Sequence, residues 1–262
     1  FDVPEDVTTD RPGQMNCFRC PEPPDSVPEP IVLFFSCPIR HALPSPHTMN
    51  SISADDPLHP AYLPTEDRPD LPRVLLIGDS ISIGYTVPVR EILKGTANLH
   101  RVPENGRDTE HGLKQLDAWL GEKPWNLIHF NFGLHDIRHV KDDRMDISGL
   151  RIRSAAEYGQ NLTRILDRLR RTGARLVFAT TTPVPDGADG RRPGDEIECN
   201  AIAIDLMASA GVPINDLHAF ITPYLAEAQN PRNVHFNEAG SRLLGRKVAR
   251  IIVRALRPNP SL

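Results

Sequence analysis

From Pro72 onward, short apolar runs alternate with longer amphipathic stretches, and no other feature of the sequence restricts the fold as strongly. Arg73-Val74-Leu75-Leu76-Ile77-Gly78 is a continuous apolar run ended by glycine, the pattern of a strand buried on both faces. Residues 98–102, 126–131, 175–180 and 212–216 read as four further strands. Helices are expected between them at 87–93, 110–120, 154–171 and 195–210, with a terminal helix over 237–256. Leu113, Leu116, Trp119 and Leu120 share one face of the second helix, and Tyr158, Leu162, Ile165 and Leu169 one face of the third. Gly173 and Gly211 stand where helices are commonly ended by glycine. Such alternation predicts an α/β protein with a parallel sheet of about five strands. Right-handed crossovers then put helices on both faces, a three-layer α/β/α sandwich of flavodoxin-like type.

The first quarter of the chain has a different texture. Of 26 prolines, 15 fall within residues 1–72, and proline both removes a donor and blocks helices. Residues 1–71 are therefore expected to be a poorly structured extension, and residues 72–262 a single domain. The apolar run Ile31-Val32-Leu33-Phe34-Phe35 follows Glu22, Asp25 and Glu29 rather than basic residues. It does not read as a secretory signal, and a cytoplasmic location is the expectation. Met49 reads as an internal start, since regular patterning begins soon after it, and residues 1–48 are then expected to be an extension with no role in the fold. Cys17 and Cys20 form a lone C-x-x-C; Cys37 and His41 could be offered as further ligands, but without zinc-finger spacing the cysteines read as incidental. Cys199 reads as a small buried residue of a helix. A net charge of −4 gives no basic footprint for nucleic acid, and no run approaches the length of a membrane span. The oligomeric state is left open by the sequence.

In open parallel sheets, sites form beyond the carboxyl ends of the strands. The residues there are Asp79-Ser80, Glu104-Asn105-Gly106, Gly133-Leu134-His135-Asp136, Thr181-Thr182-Pro183 and Asp216, together with Asn233-Val234-His235-Phe236 before the last helix. A serine between a strand and a helix can aim its hydroxyl into a cleft, with main-chain amides nearby for an oxyanion. It needs a base to become a nucleophile, and histidine is the usual one. Asp79 and Ser80 would equally suit a plain helix cap.

Four of these segments together resemble the SGNH (GDSL-type) hydrolase family. Gly78-Asp79-Ser80-Ile81-Ser82 with Gly84-Tyr85 resembles its first block. Glu104-Asn105-Gly106-Arg107-Asp108-Thr109 resembles its second, and Gly133-Leu134-His135-Asp136 its third, G-x-N-D. Val234-His235-Phe236-Asn237 with Gly240 resembles its fifth. The resemblance spans about residues 72–256. It implies the SGNH hydrolase fold, Ser80 as nucleophile and His235 as base, 155 positions later. It also implies an oxyanion hole from the Ser80 amide, Gly106 and His135. Gly106 is preferred because glycine lets its amide approach substrate closely; aligning Asp108-Thr109 instead puts Arg107 there. Asp79, Asn105, Arg107, Asp136 and Asn233 are expected in supporting positions. The implied chemistry is hydrolysis of a carboxylic ester, an acetyl or other short acyl on a small alcohol or carbohydrate. No metal and no cofactor are called for.

Two positions depart from the family pattern. His135 replaces the third-block asparagine, and a neutral imidazole can supply the same N–H if the tautomer is right. Arg232 stands three residues before His235, where the family carries aspartate. An arginine cannot orient the imidazole as an acceptor. A backbone carbonyl could do so, giving a Ser-His dyad, which is the preferred expectation. Otherwise Glu238, Asp216 or Asp136 would have to reach it. These departures motivate a rival reading, a catalytically weakened or non-catalytic binding module on the same fold. A second rival is a metal-dependent phosphoesterase using Asp79 and the histidines, with His135, Asp136 and His139 as a conceivable ligand cluster. His129 reads as a satisfied core or interface residue, His139 as a surface-loop residue, and His100, His111 and His218 as lacking metal-ligand spacing. Arg138, Lys141, Arg144, Arg151 and Arg153 read as a solvated basic loop.

Overall fold

Five parallel strands form the centre of the protein in a computed structural model, which describes residues 56 and 58–257. The strands are β1 (Arg73–Ile77), β2 (Asn98–Arg101), β3 (Leu127–Phe130), β7 (Arg175–Ala179) and β8 (Ile214–Asn215), ordered β2-β1-β3-β7-β8. Every pairing is parallel, with Val74 opposite Leu99 and Leu127, and Leu127 opposite Arg175. The helices are α1 (Ser80–Leu93), α2 (Thr109–Leu120), α3 (Ala155–Arg170), α4 (Asp195–Ser209), α5 (Leu217–Ile221), α6 (Leu225–Ala228) and α7 (Glu238–Leu256). The chain steps from β1 to β2 in one direction and from β2 through β3 and β7 to β8 in the other. Right-handed crossovers therefore send α1 to one face and α2, α3 and α4 to the opposite face. The helix contacts follow that division: α1 packs on α7, α2 on α3, and α3 on α4.

The five expected strands and five expected helices are present, with one substantial difference. The first helix starts at Ser80, not near residue 87. Gly84 and Pro88 interrupt its sequence pattern, yet both lie inside it. Proline lacks the donor and crowds the preceding turn, but tertiary packing holds this helix in place. Pro88 fits against Gly245 of α7, where an added Cβ would stand 2.8 Å from the proline Cβ.

A second small sheet was not anticipated. β4 (His139–Lys141), β5 (Arg144–Met145) and β6 (Leu150–Arg151) pair antiparallel in the order β5-β4-β6. Asp142 and Asp143 take φ of 50° and 59°, the positive angles a two-residue primed hairpin turn requires. The segment read as a solvated basic loop is partly paired. Arg151 bonds Asp195 at 2.6 Å and Glu198 at 2.5 Å, and Arg153 pairs with Glu110. His139 is buried, contrary to expectation, with Nε2 2.7 Å from Asp195 Oδ2 and Nδ1 3.0 Å from the Gly149 carbonyl. It ties the small sheet to the start of α4.

The boundary expected at residue 72 falls within the packed structure. Thr65 Oγ1 donates to the Leu99 carbonyl at 2.7 Å, and the side chain of Asn98 bonds the main chain of Arg68 and Leu71. Residues 58–71 thus lie along β2 and α1 despite their prolines. The cysteines at 17, 20 and 37, His41, the apolar run at 31–35 and Met49 lie outside the described residues. No described helix is long and apolar enough to cross a membrane.

The core is continuous through both helix layers and includes Cys199, whose thiol burial pushes up to about 12. A titratable residue of β3 is buried beside it. His129 of β3 is fully buried, with Nε2 3.1 Å from Asn215 Nδ2. Burial lowers its pKa from 6.5 to about 4, so the native ring stays neutral where an unfolded one takes a proton. The stability tied to this group is complete above pH 6.5 and is lost as pH falls toward 4. Relative to His129→Gln, the native chain should lose about 2 kcal/mol between pH 6.5 and pH 5. Urea unfolding at the two pH values measures this, and equal pH dependence of the two chains contradicts it.

Candidate active site

The site lies where the sheet order reverses, at the carboxyl end of β1 between β2 and β3. Asp79 caps α1: its Oδ1 accepts from the Ile81 N–H at 3.0 Å. Ser80 is then the first residue of the helix, where unpaired amides and the helix dipole favour negative charge. The Asp79 carboxyl is 1% exposed, and burial pushes its pKa up. Arg101 of β2 also holds this turn, a part that no motif marks in the sequence. Its buried guanidinium donates to Ser82 Oγ at 2.6 Å and to the Gly78 carbonyl at 2.9 Å, and so anchors the turn carrying Ser80. A charged residue at the end of β2, three residues before Glu104 of the second block, was the available signal.

His235 comes from the loop before α7. Its Nε2 stands 2.8 Å from Ser80 Oγ. On the other side of the ring, Nδ1 is 2.7 Å from Asn233 Oδ1, and the main-chain N–H of His235 donates to the same oxygen at 3.0 Å. A main-chain N–H can only donate, so it fixes which end of the amide faces the histidine. The Asn233 oxygen therefore accepts from Nδ1–H, and Nε2 presents its lone pair to the Ser80 hydroxyl. The expected backbone carbonyl is thus replaced by a side-chain amide two residues upstream. The carboxylates considered for this role are engaged elsewhere. Asp136 accepts from Thr109, Asp216 from Ala219 and Thr180, and Glu238 from Arg242. Arg232 has φ of 56°, and its Nε lies beside Gly187.

The second block packs main chain against main chain. The Gly106 N–H is taken by the Gly78 carbonyl at 3.0 Å. A Cβ at Gly106 would stand 2.7 Å from that carbonyl oxygen, so glycine is needed here for close main-chain packing. The next residue, Arg107, has φ of 50° and its N–H donates to Asn105 Oδ1 at 3.1 Å.

In the third block, Asp136 is fully buried and accepts from the Thr109 N–H at 3.0 Å and Oγ1 at 2.5 Å. It joins the third block to the start of α2, and burial pushes it up to about 7. His135 is largely enclosed. Burial and then the neighbouring charges of Arg191, Arg138, Arg107 and His235 push it down to about 3, so the ring is neutral. Arg138 Nη1 lies 3.5 Å from His135 Nδ1, and Arg191 Nε donates to the Leu134 carbonyl at 2.6 Å. The ligand cluster of His135, Asp136 and His139 is not assembled, because Asp136 and His139 turn to Thr109 and Asp195. Among the described residues, no three His, Cys, Asp or Glu side chains gather as a metal site. A cleft of about 130 Å³ opens beside Ser80 and His235, lined among the described residues by His59, Ile81, Ile83, Gly84, Phe236 and Ser241. His59 belongs to residues 1–71, which on their composition were expected to lie outside the fold.

Residues 76–243, more than half of the chain, match the GDSL-like lipase/acylhydrolase family. No curated protein sequence matches. Among solved structures, a lipase/acylhydrolase from Enterococcus faecalis is similar at 22% identity and a TM-score of 0.58, covering 73% of this chain and 100% of that one. An acetyl xylan esterase aligns at 17% identity and a TM-score of 0.58, covering 69% and 99%. A catalytic variant of an acetylxylan esterase from Geobacillus stearothermophilus aligns at 15% identity and 0.54, covering 71% and 94%. At these identities the structures establish a shared fold.

The Gly106–Gly78 contact can be tested directly. Gly106→Ala should cost about 1–3 kcal/mol in denaturant unfolding, the usual cost of forcing atoms into a packed site. Unchanged stability would show that the contact is slack.

Proposed function

The chain belongs to the GDSL-like lipase/acylhydrolase family, and from that premise we propose a serine hydrolase that cleaves short acyl esters, acetyl foremost, from a small alcohol or carbohydrate. The observation that carries this reading is the 2.8 Å approach of His235 Nε2 to Ser80 Oγ. Two residues 155 positions apart meet at hydrogen-bond distance, with the base in the tautomer that can accept the proton.

Ser80 Oγ attacks the acyl carbonyl while its proton passes to His235 Nε2. The tetrahedral oxyanion is held by the Ser80 amide at the start of α1, by the Arg107 amide and by the neutral His135 ring. Arg107 is preferred over Gly106 because its amide is accepted by a side chain, which can yield to an oxyanion, while that of Gly106 is locked into main-chain packing. Collapse breaks the acyl–oxygen bond, and His235 protonates the departing alcohol. Water, activated by the same histidine, then releases the acid. Asn233 orients His235 but, being neutral, stabilises the imidazolium less than a carboxylate would. The small cleft beside Ser80 supports a compact substrate group at this point.

A serine-directed phosphonate separates this reading from a binding module on the same fold. The expected result is one adduct on the peptide carrying Ser80, absent in Ser80→Ala and slowed in His235→Ala. No adduct on the folded protein favours the binding module. With an aryl acetate, Ser80→Ala should lower turnover by about 10⁴-fold or more. His135→Ala should cost about 10²–10³-fold, the usual loss for one oxyanion donor, while His135→Asn restores most of it. Unchanged kcat in His135→Ala would remove this ring from the mechanism.

A further inference from the structure

We propose that Arg138 is a positioning residue that fixes His135 with its proton on Nε2, so that the ring offers an N–H to the substrate oxyanion. The inference rests on His135 acting as an oxyanion donor, and it names the group that makes a histidine workable in that place.

Asparagine carries its donors on a fixed amide, whereas a neutral imidazole has one proton and two nitrogens to hold it. The wrong tautomer would point a lone pair at the oxyanion and repel it. The turn after β3 resolves the choice. The Ile137 N–H bonds the Gly133 carbonyl at 3.1 Å and the Arg138 N–H bonds the His135 carbonyl at 3.3 Å, which brings Arg138 back over the ring. Its Nη1 then lies 3.5 Å from Nδ1. A guanidinium has donors and no acceptor, so the nitrogen facing it must be the one with the lone pair. The single ring proton is left on Nε2. A doubly protonated ring would put a second positive charge against Arg138, with Arg191, Arg107 and His235 as the other charged or titratable neighbours. Arg138 Nε is buried with no hydrogen-bond partner among the described residues, and Arg138 forms no ion pair among them. Its guanidinium is thus committed to the ring by position rather than neutralised by a carboxylate.

The test is a double-mutant cycle read by kinetics and by nitrogen-15 NMR of the imidazoles. Arg138→Met should lower kcat about tenfold with little change in KM, less than the loss of a whole oxyanion donor. Arg138→Lys, which still donates, should recover most of it. In the His135→Asn background, Arg138→Met should cost nothing further, because the amide needs no tautomer. Equal losses in both backgrounds, or no loss in either, would overturn the proposal. The NMR arm requires no turnover, and its measurement on the native protein requires no variant to fold. At pH 7 the native His135 ring should be neutral with its proton on Nε2, and Arg138→Met should shift it toward the other tautomer. A native ring protonated on Nδ1 overturns the assignment of Arg138. A chain with the expected tautomer but no ester hydrolysis would leave Arg138 in place and sink the hydrolase reading instead.

Discussion

The carbonyl of Gly78 is the junction on which the site depends. It accepts from the Gly106 amide at 3.0 Å and from the Arg101 guanidinium at 2.9 Å. These bonds join the ends of β1 and β2 at the point where the sheet order reverses. A buried carbonyl left without partners would cost about 1–3 kcal/mol, so the turn after β1 has little freedom. Ser80 follows two residues later as the first residue of α1. Its place relative to the sheet is settled before the histidine arrives.

The remaining parts are brought to that fixed serine by separate elements. Asp136 ties the third block to the start of α2 through Thr109. Asn237 caps α7 on the Gly240 N–H, and the same helix packs against α1. The loop bearing His235 is therefore held next to Ser80 by helix packing rather than by chain proximity. The electrostatics share one theme: burial keeps Asp136 and His135 away from their usual titration ranges, and His135 is neutral among cations. A neutral donor in a positive surround suits a reaction that develops negative charge on oxygen.

The strands and the helix faces were legible in the sequence because apolar periodicity reports burial directly. Ser80 and His235 were legible as motif residues, and the fold brings them together. What the sequence hid depends on tertiary contact. The start of α1 was masked by Gly84 and Pro88, whose cost is met by packing against α7. His139 looked like a loop residue until Asp195, 56 positions away, came to meet it. Gly106 looked suited to bind substrate, but its missing side chain serves the approach to Gly78. The partner of His235 was sought among carboxylates and main-chain carbonyls, and it is the Asn233 amide. Asn233 stood among the supporting residues, but nothing in sequence spacing says which way its oxygen points.

The central claim is that Ser80 and His235 act as a nucleophile and its base. Its most direct test is mass spectrometry of the protein quenched during turnover of an acetyl ester. The account predicts one acetyl group, carried by the peptide that contains Ser80 and lost on further incubation. Turnover with the acetyl group on another residue, or with no covalent acyl species in a quench faster than the catalytic cycle, would contradict it.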